Sequence, residues 1–210
     1  EKAASQIAAS AFHFAGQSCI SAQRILVHCD IYETFCERFL AAVKRAAILG
    51  SPEREDVTVG PLISEEAAGR VEAWVNEAAA QGARVLCGGK RRGAFYEPTA
   101  VENADRSAKL WCEEAFGPVA ALAPYGNFED ALREANDTRF GLQAGVYTND
   151  MRLARLAFER LDAGVVIINH PSTFRVDPMP YGGVKDSGFG REGVRYAMEE
   201  MTEPRVLVFA

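Results

Sequence analysis

The chain has 210 residues, 48% hydrophobic and 25% charged, proportions of an ordinary globular α/β or α+β protein and not of a disordered or fibrous one. Twenty-three basic residues against 29 acidic ones leave a net charge of −6, so the basic surface that drives binding to phosphate backbones is missing and nucleic acid is not an expected partner. No apolar run approaches the ~18 residues needed to span a bilayer and no signal-peptide pattern opens the chain, so a cytoplasmic protein without membrane contact is expected.

The opening stretch already has helical periodicity, with Ala4, Ile7, Ala8, Ala11 and Phe12 on one face and no capping residue before it. A chain that starts inside a helix is expected to continue upstream by about one domain. A small, polar segment, Ala15-Gly16-Gln17-Ser18-Cys19-Ile20-Ser21, then leads into a short β-rich run at Arg24–His28. A helix is expected from about Ile31 to Leu49, with Phe35, Phe39, Leu40 and Val43 inward, stopped by Gly50 and Pro52. Ser64 caps the next helix, whose first turn carries Glu65 and Glu66 at the positive end of its dipole, and Gly82 ends it.

Strands follow at Arg84–Cys87, near Pro98–Val101 and at Val119–Tyr125. Asn127 caps a helix bearing Phe128, Ala131, Leu132 and Ala135. Strands at Ala144–Tyr147 and Val165–Ile168 flank a helix from Asp150 to Leu161, with Leu153, Leu156 and Leu161 inward. Strands alternating with helices, several of them apolar on both faces, predict an α/β fold: an open, largely parallel sheet with flanking helices. Its ligands belong beyond the carboxyl ends of the strands. The division expected is a catalytic unit over 1–193 and a terminal segment over 194–210. In that segment a short helix precedes a strand, Arg205–Phe209, which needs a partner edge in its own sheet, the preferred outcome, or in another subunit.

Five cysteines cannot all pair within one chain, and none form C-x-x-C, so neither a zinc site nor a redox dithiol is expected. Most, including Cys29 and Cys36, read as buried small hydrophobes. Cys19, in its loop, is the exception. His13, His28 and His170 are too scattered for a metal cluster. Asn136-Asp137-Thr138 is a glycosylation sequon without a secretory context. Gly188-Phe189-Gly190-Arg191-Glu192-Gly193 matches G-x-G-x-x-G, but no buried strand precedes it and too few residues follow for the required acidic partner. Tight turning beside a site explains these glycines better.

Three strings remain: Gly16-Gln17-Ser18-Cys19, Glu113-Glu114-Ala115-Phe116-Gly117-Pro118-Val119, and Pro180-Tyr181-Gly182-Gly183-Val184-Lys185-Asp186-Ser187-Gly188. In this order the chain resembles, over essentially its whole length, the catalytic half of the aldehyde dehydrogenase superfamily. The resemblance implies Cys19 as the nucleophile, its backbone N–H as half of an oxyanion site, and Glu114 and Phe116 at the ribose of NAD or NADP. It places Phe174 and Tyr181 in the substrate tunnel. A thiolate suits the chemistry, because hydride leaves a tetrahedral thiohemiacetal more readily than a free carbonyl. Arg175 and Asp177 resemble a subgroup acting on small aldehydes such as lactaldehyde or glycolaldehyde; an arginine there can steer an anion or simply pair with Asp177.

The resemblance also implies that the nucleotide-binding part, the general-base glutamate and the oxyanion asparagine lie outside this chain. Asn169 matches a different position, at a strand end below the tunnel. The 210 residues alone are expected to be inactive, and the full-length protein to be a homodimer or homotetramer. Three other readings stay open: a coenzyme A-acylating enzyme of the same family, a thiol hydrolase pairing Cys19 with a histidine about 3 Å away, and a catalytically silent assembly module.

Overall fold

The computed structural model describes residues 1–210. In chain order the elements are α1 (Lys2–Phe12), β1 (Arg24–His28), α2 (Tyr32–Ala46), α3 (Glu65–Ala80), β2 (Arg84–Cys87), β3 (Arg91–Arg92), β4 (Phe95–Tyr96) and β5 (Thr99–Glu102). They continue with α4 (Lys109–Cys112), β6 (Val119–Tyr125), α5 (Phe128–Asn136), β7 (Gln143–Val146), α6 (Met151–Arg160), β8 (Val165–Ile168) and α7 (Val194–Glu200).

Four strands form an open sheet in the order β1-β6-β5-β2, with β1–β6 and β5–β6 parallel and β2–β5 antiparallel. The parallel pair β7–β8 and the short β3–β4 hairpin are separate. No closed barrel forms, and the architecture is the expected α/β one, mixed at its β2 edge.

Period-2 alternation explains why β6 is buried along most of its length. Ala120 and Leu122 face one way into a core with Phe12 of α1 and Phe39 of α2. Val119, Ala121 and Ala123 face the other way, onto Val71 and Val75 of α3 and Trp111 of α4. On β5, Ala100 and Val101 divide in the same manner. A strand covered on both faces has to be apolar throughout, and this one is.

The helix starts follow from their caps. Ser64 Oγ accepts the Ala67 N–H, Asn127 Oδ1 accepts those of Glu129 and Asp130, and Asp150 Oδ1 accepts that of Arg152. Each satisfies donors that the first helical turn would otherwise leave orphaned. The Asn136 amide also has structural work: its Nδ2 donates to Arg160 O and its Oδ1 accepts the Asp162 N–H, closing the end of α6.

Two expectations need correction. Arg205–Phe209 forms no strand: no ladder takes it, and Val206, Leu207, Val208 and Phe209 are each at least 75% exposed. A β-rich run becomes a strand only where a neighbouring edge satisfies its backbone groups, and no sheet of this chain supplies that edge. Cys29 is exposed instead of buried, because it lies beyond the end of β1 in a short 3₁₀ turn, Cys29–Ile31. The His28 side chain caps that turn by accepting the Asp30 N–H. Cys36 is buried as expected. No helix is long and apolar enough to cross a membrane.

Candidate active site

Between α1 and β1 the chain makes a left-handed turn. Phe14 (φ 51°), Ala15 (φ 57°) and Gly16 (φ 69°) are consecutive residues in the left-handed region, which costs a non-glycine residue roughly 1–2 kcal/mol. Contacts from elsewhere in the chain hold it there. Gln17 Oε1 accepts the Ile63 N–H at 2.8 Å, and its Nε2 donates to Pro61 O at 3.3 Å. Ser21 Oγ donates to Ala11 O, and Ser172 Oγ donates to Ile20 O at 2.7 Å. Cys19 therefore sits, exposed, on a loop clamped from both sides.

The second predicted string lies directly against the first. A Cβ placed on Gly16 would be 2.0 Å from Gly117 O, so the nucleophile loop and the Glu113–Gly117 loop touch backbone to backbone. Gln23, next to β1, secures the latter: its Nε2 donates to Leu110 O and Glu113 O, and its Oε1 accepts the Ala115 N–H. Arg70 adds a bond to Ala115 O at 2.9 Å.

The two carboxylates of that loop are divided by their partners. Glu113 pairs with Arg139 at 2.6 Å, and Arg139 also reaches Asp186 at 3.4 Å. Glu114 is exposed, with no hydrogen bond or ion pair. Phe116 is 39% exposed beside it at φ 47°. A free carboxylate next to an exposed ring suits a ligand carrying vicinal hydroxyls.

Cys19, Glu114 and Phe116 line one cavity of about 610 Å³, walled by the whole of β1 and by β7, with Phe128, Leu132 and Phe140 contributing apolar surface. Phe174 and Tyr181 do not line it. Phe174 is 41% exposed and packs edge-on to His170, with centroids 5.2 Å apart.

Tyr181 is buried, and its Oη lies 2.8 Å from Cys19 Sγ. The Arg175 guanidinium sits 4.2 Å over its ring and pairs with Glu192 at 3.2 Å, not with Asp177. The glycine-rich loop bearing Tyr181 is pressed against the start of β8: a Cβ on Gly164 would lie 1.7 Å from Gly182 O. Tyr181 and Glu192 exchange both backbone hydrogen bonds, and Gly188, Gly190 and Gly193 all have positive φ, so the G-x-G-x-x-G string is a turn and no strand precedes it.

Asn169 (φ 59°) ends β8, where its side chain accepts the Thr148 N–H and donates to Thr148 O. It ties the ends of β7 and β8 together. Neither His13, tilted against Phe14 at 4.2 Å, nor His170, whose Nδ1 lies 3.3 Å from Pro171 O, hydrogen-bonds Cys19. The thiol-hydrolase geometry is therefore absent. Gln23 and Ser172 lie outside the motif strings, because a lone polar side chain carries no signal of a partner many residues away; Gln17 lies within one, but its contacts with Pro61 and Ile63 are equally unmarked.

Comparison with known proteins identifies the family of the chain. The chain is 46% identical over 208 residues to 3-sulfolactaldehyde dehydrogenase of Priestia aryabhattai, covering 99% of this chain and 43% of that protein. Its structure matches aldehyde dehydrogenase 21 of Physcomitrella patens, solved with the reaction product succinate, at TM-score 0.95 and 47% identity, covering 98% of this chain and 43% of that one. It also matches a glyceraldehyde-3-phosphate dehydrogenase of Methanocaldococcus jannaschii complexed with NADP, at TM-score 0.91 and 43% identity, covering 95% and 43%. The chain thus spans less than half the length of these relatives. The model of the aldehyde dehydrogenase family matches residues 1–207, and the chain belongs to that family.

Proposed function

We propose that this chain is the catalytic part of an NAD(P)-dependent aldehyde dehydrogenase that converts an aldehyde into a carboxylic acid through Cys19. The observation that carries the reading is the contact between the loop bearing Cys19 and the loop bearing Glu114, which puts an exposed thiol and an unpaired carboxylate on one cavity wall. The Cys19 thiolate adds to the aldehyde carbon to give a thiohemiacetal. Oxidation leaves an acyl thioester on the same sulfur, and water releases the acid. The Cys19 backbone N–H is one donor to the oxyanion.

Glu114 would accept the ribose hydroxyls of NAD or NADP, and Phe116 would pack beside them. The bound dinucleotide supplies the hydride acceptor. The general base and the second oxyanion donor are assigned to no residue of this chain, so the 210 residues alone should not turn over. The nucleotide-binding part of the full-length protein would contribute both, and that full-length protein would assemble as a homodimer or homotetramer.

Arg175 and the relatives support a narrower substrate class. The names of the three compared proteins specify sulfonate-, carboxylate- and phosphate-bearing compounds. Arg175, stacked on Tyr181 and paired with Glu192, would offer its remaining N–H donors to such a group, one side chain from Cys19. We assign a small aldehyde with an anionic tail.

The test uses the protein at its full natural length. Cys19→Ser should abolish aldehyde-dependent NAD(P) reduction, and Glu114→Gln should raise the KM for the dinucleotide several-fold with less change in the KM for aldehyde. Retention of activity by Cys19→Ser overturns the reading. Product analysis with and without coenzyme A separates hydrolytic from acylating release, and steady turnover by the 210-residue chain at full-length rates would refute the expected inactivity of the part.

A further inference from the structure

Cys19 has one side-chain hydrogen-bond partner, the phenol of Tyr181 at 2.8 Å. Either atom can donate in principle, depending on which holds the proton. The surroundings of Tyr181 decide this. The side chain is buried at 6% exposure, and burial together with the neighbouring thiol pushes its phenol well above the ordinary range, so the hydroxyl keeps its hydrogen. A protonated phenol facing a sulfur that must ionise to react is a donor aimed at a thiolate.

Glu192 holds the ring in two ways, through its backbone and through its carboxylate. The Tyr181 backbone pairs in both directions with Glu192. The Glu192 carboxylate holds Arg175, whose guanidinium lies 4.2 Å over the ring face. The charged groups that bear on Tyr181 are Arg175 and Glu192, and the cavity that Cys19 lines also carries Glu113, Glu114, Asp162, Asp186, Arg24 and His28. Glu113 is taken up by Arg139.

We propose that Tyr181 donates its phenolic hydrogen to the Cys19 thiolate, stabilising and orienting the nucleophile, and that Arg175 and Glu192 act as positioning residues for the Tyr181 ring. This goes further than an aromatic wall of a substrate tunnel, because it assigns the work to the hydroxyl and not to the ring. It rests on Cys19 being the nucleophile.

The experiment is the pH profile of Cys19 alkylation by iodoacetamide in the full-length protein, read by peptide mass. Tyr181→Phe keeps the ring and deletes the donor. A hydrogen bond to a charged group is strong enough to move the midpoint upward by about 1 pH unit, and the rate on the low-pH limb then falls about tenfold. Incorporating 3-fluorotyrosine at position 181, a more acidic phenol and a stronger donor, should move the midpoint downward. A purely packing role moves neither midpoint.

A Tyr181→Phe midpoint within 0.2 unit of the parent protein's, or an upward shift with 3-fluorotyrosine, overturns the proposal. Loss of activity in Cys19→Ser with unchanged Tyr181→Phe profiles removes this inference alone. Retained activity in Cys19→Ser removes the nucleophile as well.

Discussion

Replacing Gly16 with alanine adds one methyl group where two loops of the site meet. The new Cβ would lie 2.0 Å from Gly117 O, 2.4 Å from Gly117 C and 3.0 Å from Pro118 N, all of them backbone atoms without a rotamer to change. Position 16 is also at φ +69°, where alanine is about 1–2 kcal/mol less stable than glycine. Relieving the overlap requires a shift of one loop, at about 1–3 kcal/mol for overpacking of this kind. The expected destabilisation is thus about 2–5 kcal/mol. In a chain of this size each kcal/mol lowers the melting temperature by about 2–4 °C, so thermal unfolding should begin roughly 4–20 °C earlier.

The control is Gly69→Ala, the same methyl added inside α3 at a position with no neighbouring atom within 4 Å. That change should stabilise by about 0.5–1 kcal/mol through better helix propensity. Circular dichroism melts of the parent and both variants, run side by side, give the comparison. A Gly16→Ala melt within 2 °C of the parent's, or one displaced in the same direction as that of Gly69→Ala, would refute the close approach of the two loops. Under the proposed function, a displacement of about 1 Å between Cys19 and the Glu114 wall should lower the rate of the full-length protein on the order of 100-fold.

Gln23→Ala removes three hydrogen bonds that hold the Leu110–Ala115 stretch, and should cost about 2–3 kcal/mol in a urea titration and raise the dinucleotide KM with it; an unchanged transition midpoint would show that the loop is held without it. Native thiol labelling at pH 7.5 should modify Cys19 and Cys29 first, since both are exposed. Cys36 and Cys87 should lag, because burial pushes both thiols up and leaves less thiolate at that pH. Peptide mass analysis gives the order, and early modification of Cys36 would contradict the packing of α2.

Most elements could be read from periodicity and capping chemistry because those signals are local. Val119–Tyr125 and Val165–Ile168 have the bounds that their apolar runs imply, and Ser64 and Asn127 cap the helices that follow them. What could not be read depends on partners. The β3–β4 hairpin is two residues a side and too short to carry a pattern. Arg205–Phe209 has strand composition, but composition cannot create a ladder partner. Cys29 closes an apolar run, yet its exposure was decided by where β1 ends. In the site, motif strings marked Cys19, Glu114 and Tyr181, whereas the bonds of Gln17 and Gln23 join residues 44 to 92 positions apart. The left-handed backbone at Phe14 and Ala15 had no warning, since neither residue type favours it.

That turn makes Cys19 an indicator of assembly. Phe14, Ala15 and Gly16 adopt a conformation their own preferences oppose, and the contacts that impose it come from residues 61–63, Gly117 and Ser172. The loop can take its shape only after those distant stretches have arrived, so during folding the thiol should remain in an unstructured environment until late. A time course of Cys19 reactivity would then report completion of the whole unit from a single atom, with no probe attached.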